Sequence, residues 1–165
     1  MVKPIIQSAT QTLYDEDYYL WLRTTINQLR AGQFSDVDLD NLLEELETMG
    51  RREKRTVKSL LIRLFEHLLK LTYWDKEREQ NEGHWKGEIR TFRREIKDQL
   101  KESPSLKPYI LEIFDACYQE ATAEASDRSQ LAIDIFPLIP IGSLEQILDE
   151  NWFPEYNHNH HGKPD

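Results

Sequence analysis

A chain of 165 residues with 39% hydrophobic residues is long enough to bury a core as one domain without metals or disulfides. Its single cysteine, Cys117, cannot close an intramolecular disulfide, and no stretch approaches the roughly 18 apolar residues of a membrane helix. The net charge of −9 argues against a general nucleic-acid binder, and residues 1–17 lack the pattern of a signal peptide, so a soluble cytoplasmic protein is expected.

Residues 1–13 read as an N-terminal extension, followed by a helical domain over residues 14–154. A first helix is expected over about residues 15–31. Acidic residues open it and Gly32 closes it at the C′ position, with Tyr18, Leu22, Ile26 and Leu29 facing inward. Residues 32–37 then turn the chain, and Asp36 or Asp38 serves as N-cap of the next helix.

That helix, over residues 38–74, dominates the reading. Unbroken through residue 73 it would run about 54 Å at 1.5 Å per residue. At 100° per residue, Leu39, Leu42, Leu46, Met49, Val57, Leu60, Leu64, Leu68 and Leu71 share one face, with Glu53 in its middle. Gly50 is a place for a bend or a close neighbour.

Residues 75–83 are polar, contain Asn81 and Gly83, and read as a loop before a third helix over residues 84–102. Trp85, Ile89, Phe92, Ile96 and Leu100 form the face of that helix. Ser103 and Pro104 supply an N-cap and an N1 proline for a fourth helix reaching about residue 126. It turns Leu106, Ile110, Ile113, Phe114, Cys117 and Ala121 inward. After the Pro137 and Pro140 turns, Ser143 with Gln146 forms a capping box for a short last helix. Residues 155–165 read as a disordered tail. The expected architecture is all-α: a single-domain bundle of four main helices plus a short C-terminal one, with one long central helix.

Charge is segregated along the chain. Residues 1–50 hold 3 Lys/Arg against 9 Asp/Glu, residues 51–101 hold 15 against 9, and residues 102–165 hold 3 against 12. Mutual neutralisation of acidic helices around a basic middle is the plain consequence. A basic face made of Arg51, Arg55, Lys58, Arg90, Arg94 and Lys97 is the sharper one, although helical spacing scatters these residues and no nucleic-acid motif accompanies them.

Glu53, a charge on an apolar stripe, needs a cation, and Arg93 on the third helix is the expected partner. If that pair is only structural, Glu53→Leu is tolerated and Glu53→Ala is not. A polar ligand pocket at Glu53 and Arg93, with His67 or Lys70 from neighbouring turns, is the functional alternative. His67 lies about 21 Å along a straight helix from Glu53, so those two cannot share one site. No second His or Cys stands near His67 at metal-ligand spacing.

The run Glu44, Glu45, Leu46, Glu47 lacks the Glu-x-x-His pairs of a di-metal bundle and reads as a solvated face. His158, His160 and His161 would hold a metal only adventitiously. Cys117 on an apolar face reads as an inert core thiol. No phosphate loop, nucleophile elbow or zinc-protease spacing occurs, and no metal or cofactor is expected.

Several segments together carry a resemblance. They are Tyr14, Asp15, Asp17, Tyr18, Tyr19, Trp21 and Leu22; Leu29, Arg30, Gly32 and Phe34; and Asn41, Leu42, Glu44 to Glu47, Met49, Gly50 and Arg51. Later landmarks are His67 to Lys70, Ser103 to Leu106, and Phe136 with Pro137. The set resembles a bacterial family common in cyanobacteria, domain of unknown function twenty-nine, over about residues 14–154. The resemblance implies an almost wholly helical cytoplasmic domain and no activity, cofactor or catalytic residue. The expected function is therefore a non-enzymatic protein-protein interaction module that binds a protein partner or itself. A ligand-binding protein or enzyme around Glu53 is the alternative, and nucleic-acid binding ranks lower.

Overall fold

The computed structural model describes residues 9–156, with side chains from residue 13 onward. Among them are six α-helices and no strand: α1 (Ala9–Glu16), α2 (Tyr18–Arg30), α3 (Leu39–Tyr73), α4 (Asp75–Glu102), α5 (Lys107–Ser129) and α6 (Leu144–Leu148). Short 3-10 turns stand at Phe34–Asp36, Pro104–Leu106 and Ile133–Ile135. The fold is all-α with one long central helix of 35 residues. The chain divides into two compact units between Arg52 and Glu53, inside α3. The histidines His158, His160 and His161 lie outside the described residues.

In the first unit the single helix expected over residues 15–31 is two helices. Asp17 ends α1, donating its N–H to Leu13, and caps α2 by accepting from the Leu20 N–H at 2.9 Å. The end of α2 is a Schellman motif: Gln33 N–H bonds Gln28 O at 2.9 Å and Gly32 N–H bonds Leu29 O at 3.2 Å. Gly32 takes φ +71, which an L side chain would resist.

The inward face of α2 also differs from the expected stripe. Trp21 and Thr25 are buried, while Tyr18, Ile26 and Leu29 are exposed. Trp21 is held by Asp38, whose Oδ2 accepts from the indole Nε1 at 3.3 Å. Asp38, of the two N-cap candidates, also accepts from the Asn41 backbone N–H at 3.4 Å and from Asn41 Nδ2 at 2.7 Å. One carboxylate thus starts α3 and fixes α2 against it. About two turns further along, Glu45 accepts from Tyr14 Oη at 2.5 Å and from Tyr18 Oη at 2.9 Å. Both rings pack on Trp21, with centroids 4.8 and 5.7 Å away.

The second unit forms around the C-terminal half of α3. Val57, Leu60, Leu61, Ile62, Leu64, Phe65, Leu68, Leu69, Leu71 and Tyr73 are buried, so from Leu64 onward the helix is covered on nearly every side, while Ser59 and Arg63 leave one ridge of its earlier turns in water. From α4 come Trp85, Ile89, Phe92 and Ile96, and from α5 Ile110, Cys117 and Ala121, on the faces that the spacing predicts, together with Tyr118, which the expected set leaves out. Phe65 meets Phe114 and Tyr118 edge to face, with centroids 5.0 and 5.2 Å apart.

The loop expected over residues 75–83 is helical instead. Only Trp74 interrupts the chain, and α4 starts at once with Asp75 and Glu77 at its positive end. Asn81 Nδ2 turns back onto Glu77 O at 2.9 Å, Lys86 bonds Glu82, and Trp74 stacks on Trp85 at 5.6 Å. Tertiary packing and these local bonds override the weak propensity of Asn81 and Gly83. Ser103 ends α4, and a 3-10 turn at Pro104 leads into α5 without a side-chain cap bond. Both halves of the capping box at Ser143 and Gln146 are present, at 3.2 and 3.0 Å.

The two phenols on Glu45 make a pH window for the first unit. Their bonds hold the Glu45 carboxyl below its ordinary value, while the bond to Glu45 pushes Tyr14 up to about 12. A depressed carboxyl adds stability above its unfolded value of 4.5 that is lost as pH falls through the folded one. A raised phenol adds stability below its unfolded value of 10.0 that is lost as pH rises to about 12. Tyr14→Phe should therefore cost roughly 0.5 kcal/mol near neutral pH, since the site is solvent-screened. Urea unfolding should show the difference from wild type shrinking in acid below the Glu45 range and again in strong alkali.

Candidate functional site

The buried carboxylate of α3 is Glu66, not Glu53. Glu53 is exposed, because the face it occupies is uncovered at that turn of the helix. Arg93 is fully buried and does not reach for it: Nε donates to Ile147 O at 2.6 Å and Nη2 to Trp152 O at 2.7 Å, with the Phe153 ring 4.9 Å away. Burial lowers its pKa. The expected Glu53–Arg93 pair is thus replaced by a cation that satisfies two carbonyls of the irregular segment around α6. Trp152 in turn lies against Gly142, where an added Cβ would meet its ring at 3.1 Å.

Glu66 is 2% exposed in its side chain and meets two cations at one oxygen. Lys70 Nζ, one turn on, stands 2.7 Å from Oε1, and Arg128 Nε from α5 stands 3.0 Å from the same atom. Neither approach is aligned as a hydrogen bond, so the attraction is chiefly coulombic. Lys70 is buried with its partner, whereas the Arg128 side chain is 61% exposed.

His67 points its ring against Phe92, with centroids 5.2 Å apart, and its Nδ1 lies 2.9 Å from Arg63 O. A carbonyl only accepts, so Nδ1 carries the proton. Burial first, and then Lys70, lower its pKa, against the opposing pull of the Arg63 carbonyl, Glu66 and Glu88.

Glu66 forms the floor of a cleft between α3 and α5 with a volume of about 370 Å³. Arg55, Lys58, Ser59, Ile62 and Arg63 line it from α3, and Glu120, Glu124 and Arg128 from α5. Lys58 is tied to Glu120 at 3.0 Å, which raises its pKa. Of the four residues expected at a pocket, Lys70 stands behind this cleft on Glu66, while Glu53, His67 and Arg93 do not line it. Glu66 was visible in principle. The run of Leu60, Leu61, Ile62, Leu64 and Phe65 is apolar except at Arg63, which marks a helix covered over most of its circumference and makes Glu66, one turn beyond Ile62, a buried charge.

The cations of the expected basic face are largely engaged. Arg51 bridges Glu44 and Glu47 at 2.9 and 3.4 Å, Lys58 binds Glu120, Lys97 binds Glu150 at 2.9 Å, and Arg90 lies 5.7 Å from the Phe153 ring. Arg55 and Arg94 are exposed and carry no ion pair among the described residues. Cys117 is buried, and burial pushes its thiol up to about 11. Among the described residues, no group of three His, Cys, Asp or Glu is placed to hold a metal, and no helix is long and apolar enough to cross a membrane.

The first unit presents a different surface. Leu39, Leu43, Leu46 and Met49 on α3 are 57%, 50%, 55% and 60% exposed, where the spacing predicts that Leu39, Leu46 and Met49 point inward. The helix turns Asp38 and Glu45 toward α2 instead, so that its leucines fall to the side.

Residues 13–153 match the family model described as Domain of unknown function DUF29. No curated protein and no solved structure matches the chain.

Replacing Glu66 by Ala strands Lys70 in the core and should cost about 3 kcal/mol in urea unfolding. The double substitution Glu66→Leu, Lys70→Leu should recover most of that loss, because Arg128 can turn to water. Glu53→Ala should change stability by less than about 0.5 kcal/mol. Because the folded His67 pKa is depressed, its contribution is complete above the unfolded value of 6.5 and lost as pH falls through the folded one. Thermal unfolding of His67→Gln should accordingly show a shallower loss of Tm than wild type on acidification.

Proposed function

The chain belongs to the DUF29 family, whose description states no activity, and on that premise we propose a non-enzymatic interaction module that pairs with a second copy of itself. The supporting observation is the apolar face of Leu39, Leu43, Leu46 and Met49, each at least half exposed on a regular helix. With 100° per residue these side chains cover an arc of about 120°, the width of a core-facing helix stripe. A face of this kind in contact with water marks a contact surface.

Charge selects the orientation and the occupant. Asp40, Glu44 and Glu47 flank the stripe on one side, and Arg51 and Arg52 follow at its C-terminal end. A second copy laid antiparallel about a two-fold axis sets the acidic start of one stripe against the basic end of the other. Parallel pairing would oppose carboxylate to carboxylate. The bridges from Arg51 to Glu44 and Glu47 are solvent-exposed, worth little, and free to exchange partners.

Sedimentation equilibrium from low to high micromolar concentration tests this. The expected result is a concentration-dependent dimer, with the double substitution Leu46→Glu, Met49→Glu giving a monomer of unchanged helicity by circular dichroism. A monomer at every concentration, or a dimer indifferent to that substitution, overturns the proposal.

A further inference from the structure

We propose that the cleft between α3 and α5 binds a compact phosphorylated small molecule, with its phosphate over Ser59 between Arg55 and Arg63. The placement follows from helix geometry. Arg55, Ser59 and Arg63 succeed one another at four-residue steps, about 6 Å apart along one ridge of α3, with the hydroxyl in the middle. Both arginines line the cleft, both are exposed, and neither carries an ion pair among the described residues. A guanidinium without a carboxylate offers its fork of parallel N–H donors to a phosphate at either end of the ridge.

The balance of charge selects an anion. Around the cleft stand Arg55, Lys58, Arg63 and Arg128, with Lys70 behind Glu66, against the carboxylates Glu66, Glu120 and Glu124. Glu120 is neutralised by Lys58, and Glu66 by Lys70 and Arg128 together. Glu124 is the one lining carboxylate without an ion pair among the described residues, so the positive charge of Arg55 and Arg63 exceeds what remains to oppose it. Buried Glu66 acts as a positioning residue. It holds Arg128 by Nε at 3.0 Å and so keeps that guanidinium at the cleft from the α5 side.

Size and surroundings limit the ligand. A volume of about 370 Å³ lies at the lower end of small-molecule sites. A long polyanion leaving the cleft would run along α5, with 5 Asp/Glu against 2 Lys/Arg, whereas a compact one stays on the arginine ridge. This site is independent of self-association through the first unit.

The test is a nuclear magnetic resonance titration of the full chain with pyrophosphate at constant ionic strength. It follows backbone amides and arginine Nε–Hε signals, with sodium chloride as the control. Saturable shifts at Arg55, Ser59, Arg63 and Arg128 are expected. Arg63→Gln should weaken binding about tenfold and Glu124→Gln should tighten it several-fold, both by removing one charge at the cleft. Both positions lie at the cleft surface, and the amide spectrum reports whether each variant keeps its fold. Shifts reproduced by sodium chloride, or unaffected by Arg63→Gln, overturn the site. A single-stranded oligonucleotide that binds more tightly than pyrophosphate, with a steep salt dependence, overturns the small-molecule assignment.

Discussion

Covering the last turns of α3, from Leu64 to Tyr73, on nearly every side is the constraint that shapes the second unit. A covered helix face can carry no lone charge, and yet α3 places Glu66 and Lys70 one turn apart among leucines. They are tolerated because the i, i+4 spacing gives each the other as partner at 2.7 Å, and because Arg128 supplies a second cation from α5. The same requirement for covering brings α4 and α5 alongside. Trp74 on Trp85 and Phe65 between Phe114 and Tyr118 fill the space with aromatic contacts.

A second polar necessity sets the position of the chain after α5. That segment is mostly irregular, many of its carbonyls lie outside regular helix, and burying those requires donors from elsewhere. Arg93 meets the need for Ile147 and Trp152, and Tyr118 Oη donates to Pro137 O at 2.8 Å. Both donors stand on core faces of their helices, so the segment is fastened by side chains that packing has already immobilised. A guanidinium suits the task because it donates in several directions from one rigid plane.

The surfaces follow from what these constraints leave over. In the first unit, Asp38 and Glu45 take the side of α3 that meets Trp21, Tyr14 and Tyr18, and the leucines of that stretch are turned to water. In the second, the ion pairs on Glu66 and Glu120 consume two of the cleft's carboxylates and leave two arginines on its α3 ridge uncommitted. The charge segregation seen along the chain is partly resolved inside the fold, as in Lys97 with Glu150 and Lys58 with Glu120, and the remainder is local.

The sequence by itself determined the local events: the long helix, the C′ glycine at Gly32, an N-cap at Asp36 or Asp38, the capping box at Ser143 and the inward faces of α4 and α5. Each depends on bonds and spacings within a few residues, which the order of side chains specifies. Arg93 was half legible, since it falls in the Ile89, Phe92, Ile96 register, but its carbonyl partners lie more than fifty residues away. Only the tertiary structure decided that Glu53 is exposed and Glu66 buried, that residues 75–83 stay helical, and that Leu39, Leu46 and Met49 face water. Periodicity tells which residues share a face of a helix. Whether another element covers that face depends on neighbours distant in sequence, and at Glu53 and Glu66 it was the neighbours that differed.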